Sequence, residues 1–82
     1  MKPEDFAAID PALEAEIKDR IHQYAPYPRL LGLRMEEVRR DYARMRLPYR
    51  PDLNQPAGMV HGGAIASLID TVVVGTIFSN VT

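Results

Sequence analysis

The sequence predicts an α+β domain, and three patterns carry that expectation. An apolar stripe at helical spacing runs through the N-terminal part. A stretch of period two follows, in which apolar and charged residues alternate. A nearly unbroken apolar run then extends from Ala64 to Val81. The expected elements are an amphipathic arm, two antiparallel strands and a long helix that is apolar on nearly every side.

With 82 residues the chain forms one domain or part of one. It is 46% hydrophobic and 26% charged, the composition of a globular protein rather than a disordered one. Ten basic and eleven acidic residues leave a net charge of -1, so no general pull toward nucleic acid or an anionic membrane is expected. Cysteine is absent, which removes disulfides, thiolate metal sites and cysteine nucleophiles, and suits a reducing, cytoplasmic setting. The start, Met1-Lys2-Pro3-Glu4-Asp5, is acidic and lacks the apolar stretch of a secretory signal.

Residues 1–28 are expected to form a helical arm. Asp10 suits an N-cap and Pro11 the first helical position. Leu13, Ile17, Ile21 and Tyr24 then make one apolar stripe, with His22 facing solvent. Pro26 and Pro28 end the helix. The stripe packs on the rest of the domain or, alternatively, docks a partner.

Residues 31–50 read as two antiparallel strands turning at Arg40-Asp41. In the second, Ala43, Met45 and Leu47 alternate with Tyr42, Arg44 and Arg46. In the first, Met35 and Val38 are out of step, which predicts a bulge. Arg34, Arg39, Arg40, Arg44, Arg46 and Arg50 cluster here, either as a solvated face or as a patch for phosphates such as those of a nucleotide-tailed substrate. Pro48 and Pro51 close the second strand, and a loop leads to Gly58.

The third unit runs as a helix from His61-Gly62-Gly63 to about Phe78. The apolar run is almost long enough for a membrane span, but Asp70 in its middle makes a buried core helix the better reading. Two strands and one arm cannot wrap such a helix. Either the polypeptide is longer than this stretch or other chains supply the cover.

Chemistry concentrates between Gln55 and Asp70. Gly62 and Gly63 open a helix whose first N–H groups have no partner inside it, and no Ser, Thr, Asp or Asn stands there to cap them. Such donors suit an oxyanion hole, although a glycine pair also marks an ordinary tight turn. Asp70 is the only acid after Asp52. It is expected to lie buried, either as a nucleophile or general base or as a structural acid. Eight residues separate Gly62 from Asp70, about 12 Å of helix rise, so one chain cannot bring both to one reacting group. A site using both must be completed by a second copy across a symmetric interface. His61 is a base or a hydrogen-bonded structural residue. Two distant histidines make zinc improbable, and Ser67 lacks the elbow of a serine hydrolase.

The run Gln55-Pro56-Ala57-Gly58-Met59-Val60-His61-Gly62-Gly63-Ala64-Ile65-Ala66-Ser67-Leu68-Ile69-Asp70 resembles the signature of PaaI-type hotdog-fold thioesterases. Tyr27 to Leu33 and Leu47 to Pro51 resemble that family's first strands, and the likeness covers roughly residues 26–78. The resemblance implies a hotdog fold, a central helix wrapped by an antiparallel sheet, with residues 29–82 as the N-terminal part of the domain. It implies hydrolysis of acyl-CoA or related thioesters by a homodimer or homotetramer, with no metal or cofactor; the charge balance and Asp70 add the expectation of no nucleic-acid or membrane partner. By position Asp70 matches the nucleophile or general base, and Gly62 the N–H that polarises the carbonyl. Gln55 matches the residue holding carbonyl or water, with Asn54 as the alternative. His61 and Gly63 fall in the substrate-binding motif. The family's later strands, and a hydroxyl residue that assists the acid, have no counterpart up to Thr82. A non-catalytic module that binds acyl-thioesters or partner subunits is the alternative.

Overall fold

A computed structural model describes residues 1–80; Val81, the last residue of the apolar run, and Thr82 lie outside the described residues. A 3-10 turn over Pro3–Asp5 precedes α1 (Pro11–Asp19), which runs into a π-helical turn, Arg20–Tyr24. A short helix α2 (Pro26–Leu31) leads to strands β1 (Arg34–Arg39) and β2 (Tyr42–Arg46), a 3-10 turn (Pro51–Leu53) and the long helix α3 (Gly62–Phe78).

The arm starts as its sequence dictates. Asp10 accepts the Ala12 N–H at 2.8 Å and Pro11 occupies the first turn. Its end differs from expectation. The π turn adds a residue to the hydrogen-bonded ring, with the Ala25 N–H donating to the Arg20 carbonyl, and so shifts the apolar stripe out of phase. Ile17 and Ile21 stay buried, but Tyr24 is turned out to solvent. Pro26 ends this helix and also opens α2, because proline is well suited to a first helical position. Gly32, at φ 77°, closes α2 in the left-handed region, with the Leu33 N–H donating back to Pro28.

β1 and β2 pair antiparallel through a turn at Arg40-Asp41, Asp41 taking φ 59°. The expected bulge falls between Met35 and Glu37 and turns both Met35 and Val38 inward. These two form the core with Ile17 and Ile21, and Ala43, Met45, Val74 and Phe78 pack around them. The arm also covers the outer edge of β1. The Met35 N–H donates to His22 Nε2 and the Val38 N–H to Glu14 Oε2, each at 2.9 Å. His22 is therefore half-buried and bonded rather than solvent-facing, because the bulged edge strand offers it a donor.

α3 lies on the same inner face. A Cβ at Gly75 would stand 2.8 Å from Met35 Cε and 3.0 Å from Ala43 Cβ, so glycine sets how closely helix and hairpin approach. Ser79 latches the far end, accepting the Asp41 N–H at 2.9 Å and donating to the Thr76 carbonyl at 2.6 Å. The opposite side of α3 is uncovered: Ile65, Ile69, Val73 and Ile77, one ridge, are between 46% and 63% exposed. This α+β arrangement is compatible with part of a hotdog-like fold. No helix among the described residues is long and apolar enough to cross a membrane.

Gly75→Val is expected to destabilise the fold by about 1–3 kcal/mol through overpacking, read as a lower thermal midpoint by circular dichroism. A second expectation concerns His22. Burial lowers its pKa below the ordinary 6.5, the Arg34 and Lys18 cations add to that, and Asp19 opposes it. The unfolded chain then binds the proton more readily than the native one. The neutral ring's contribution is complete above pH 6.5 and is lost as pH falls through the lowered folded-state value. Denaturant unfolding at stepped pH is expected to show this decline, and His22→Gln is expected to flatten it.

Candidate functional site

The loop between β2 and α3 is a small hairpin. Buried Leu53 anchors it, and its carbonyl accepts the His61 N–H at 2.7 Å. The Gln55 N–H donates to Met59 and the Gly58 N–H to Gln55, closing a turn with Pro56 at its second position and Gly58 at φ 85°. Asn54 and Val60 pair across the two legs. The chain thus re-enters beside Asn54 as it starts α3.

His61 is the N-cap of α3, and its Nδ1 accepts the Gly63 N–H at 2.8 Å. This corrects the expectation of an uncapped start: an imidazole takes the place of the usual hydroxyl or carboxylate. With Nδ1 accepting, the proton of the neutral ring sits on Nε2. The His61 carbonyl accepts the Ala64 N–H, whereas the Gly62 N–H has no partner among the described residues. A Cβ at Gly63 would stand 3.0 Å from His61 Nδ1, so glycine there makes room for the cap; a Cβ at Gly62 would meet nothing within 4 Å.

A hollow of about 300 Å³ opens beside this start, with Tyr27, Leu31, Asn54, His61 and Gly63 among its walls. Asn54 Nδ2 donates to the Tyr49 hydroxyl at 2.8 Å, while its Oδ1 is buried without a partner. Gln55, half-buried, spends its main chain on the turn and does not line the hollow. The Tyr27 hydroxyl lies 3.0 Å from Ser67 Oγ, which donates to the Gly63 carbonyl at 2.8 Å. Tyr27 is the wall residue that sequence reasoning did not single out. Forty residues separate it from Ser67, and no linear pattern joins them.

Asp70 stands apart. It is exposed, not buried, because the packed side of α3 carries Ala64, Thr71 and Gly75 and Asp70 falls on the other. Gly62, Ala66 and Asp70 share that open face, and the roughly 12 Å of helix rise keeps Gly62 and Asp70 apart. Among the described residues no three His, Asp or Glu side chains gather as a metal ion would require.

The chain belongs to the family described as "Domain of unknown function (DUF4442)", which matches residues 14–81. Among curated proteins it is similar to two from Mycobacterium tuberculosis, named "Putative esterase MT1895" (strain CDC 1551 / Oshkosh) and "Putative esterase Rv1847" (strain ATCC 25618 / H37Rv). Each is 40% identical over 47 residues, covering 57% of this chain and 34% of the relative. The matched stretch thus spans about a third of the length of these relatives. No solved structure matches the chain.

His61→Ala is expected to cost about 0.5–2 kcal/mol as the cap is lost, whereas His61→Asn, which can cap, is expected to keep most of that stability. Chemical denaturation of the two variants distinguishes them.

Proposed function

We propose that the chain supplies one half of the active site of an ester hydrolase, and that the ester is an acyl thioester such as acyl-CoA. The observation that carries this reading is the Gly62 N–H, an open donor at the start of a 17-residue helix whose next N–H is occupied by His61. The names of the two relatives and the hotdog resemblance point to the same class of reaction.

In this reading the Gly62 N–H polarises the acyl carbonyl and receives the developing oxyanion. The partner's Asp70 takes a proton from water as its oxygen attacks the carbonyl carbon. Collapse of the tetrahedral intermediate breaks the carbon–sulfur bond, and the thiolate leaves with that proton as thiol. The products are a free acid and a thiol. Direct attack by the carboxylate, with later hydrolysis of the anhydride, uses the same groups. Of the two amides, Asn54 lines the hollow beside His61, and its unpartnered Oδ1 is an acceptor suited to a water O–H rather than to the carbonyl, while Gln55 lies one step along the turn.

The second copy follows from distance. Ala66 is midway between Gly62 and Asp70 on the open face of α3. Two α3 helices crossing antiparallel at Ala66 would set each Gly62 opposite the partner's Asp70 and cover apolar surface on both. A homodimer, or each dimer of a tetramer built from it, therefore carries two equivalent sites.

The chain has no cysteine, so a thiol-reactive dye reads only product. Thiol release from acyl-CoA is expected, and Asp70→Asn is expected to lower it by about 10²–10⁴-fold. Undiminished turnover in Asp70→Asn would remove the acid from the mechanism. Saturable acyl-CoA binding without hydrolysis would favour a binding module instead.

A further inference from the structure

The arginine-rich stretch divides once folded. Arg39 donates to the Phe6 carbonyl, Arg50 to the Leu30 carbonyl, and Arg40 lies exposed in the turn. The others converge with cations from elsewhere. Two adjoining hollows, of about 570 and 620 Å³, share Lys18, His22 and Arg34. Arg29 joins one and Arg44 and Arg46 the other, against the carboxylates of Asp19 and Glu36. Five of the ten basic residues of a chain with net charge -1 thus surround one concavity, drawn from α1, α2, β1 and β2. A solvated charge run would occupy one face of one element.

The strand register adds an independent sign. Arg34 and Arg46 stand directly opposite each other across the hairpin, a like-charge pair that weakens it. Glu36, freed by the bulge, bonds Arg46 at 3.4 Å and Arg44 at 3.8 Å. Arg34 has no carboxylate partner among the described residues, and neither has Arg29. Lys18 shares its one carboxylate, Glu14, with the Val38 N–H. His22 accepts the Met35 N–H at Nε2, so its neutral ring keeps a donor at Nδ1 in the shared wall.

We propose that this concavity binds a diphosphate-bearing small molecule, with Arg34 and Lys18 as its central cations and Arg29 and Arg46 at its two ends. Guanidinium forks match phosphate oxygens in pairs, and cations spread from Arg29 through Arg34 to Arg46 can serve two linked phosphates where a single one would reach only some of them. A concave site favours a small ligand over a flat lipid surface. The site is separate from the start of α3 and does not rest on the hydrolase reading.

Inorganic pyrophosphate is the probe, titrated into the 15N-labelled chain at low ionic strength, where screening is weak. Saturable shifts are expected at residues 18, 22, 29, 34 and 46, with orthophosphate binding more weakly. Arg34→Gln is expected to weaken pyrophosphate binding about tenfold or more, the scale of a lost charged hydrogen bond. Lys18→Gln, at a half-buried helix position that keeps a polar side chain, provides a second reading if Arg34→Gln does not fold. Arg40→Gln removes the same charge from the turn and is expected to bind as the unaltered chain does. Equal weakening by Arg40→Gln, absence of saturation, or binding confined to phosphatidylserine vesicles would each overturn the proposal.

Discussion

The edge of β1 is the constraint on which the rest of the structure depends. A two-stranded ribbon is marginal on its own, and its open N–H groups invite pairing with any passing strand. Here side chains of the arm answer them: His22 Nε2 takes the Met35 N–H and Glu14 Oε2 takes the Val38 N–H. The Ala7 carbonyl takes the Arg40 N–H a little further on. These bonds fix the arm in register with the strand, which seats Ile17 and Ile21 over Met35 and Val38. The core exists because the edge is covered. The same contact obliges His22 to be neutral, since a protonated ring has no acceptor for Met35.

α3 inverts the usual distribution of side chains on a surface helix. Its fully buried positions are small, Ala64, Thr71 and Gly75, with Val74 and Phe78 packed half-buried on the core, and its open side carries the bulky ridge of Ile65, Ile69, Val73 and Ile77. Small residues let the helix settle tightly on the hairpin. The bulky side is more apolar than a helix facing water requires, and exposed patches of this kind mark contact surfaces. Gly62 and Asp70 belong to that side, so cover for the ridge and completion of the proposed site are a single structural requirement.

What the sequence made legible was local. Asp10-Pro11 capping, the turn at Arg40-Asp41, the bulge implied by Met35 and Val38, and the extent of α3 all follow from short-range chemistry. The misreadings were tertiary. Tyr24 left the apolar stripe because a π turn rotated it out, and His22 left solvent because β1 presented a donor. Asp70 read as buried because its neighbours are apolar, whereas exposure depends on which side of α3 meets the hairpin. At the candidate site, the run from Asn54 to Gly63 was visible as a motif. Tyr27 was not, because only the fold carries it to Ser67.

The two glycines at the start of α3 differ in what requires them. Gly63 answers to the fold, because a side chain there would press on the His61 ring that caps the helix. Gly62 answers to nothing within the described residues: its φ is not positive, and a Cβ would meet open space. Glycine is a weaker helix former than alanine, so a position without internal cause is informative. The first turn is otherwise well served, with Gly63 bonded to the His61 ring and Ala64 to the His61 carbonyl. A donor left open and stripped of its side chain admits an acceptor from outside the chain. A carbonyl oxygen gaining negative charge, as in the proposed hydrolysis, is one acceptor that such a donor stabilises.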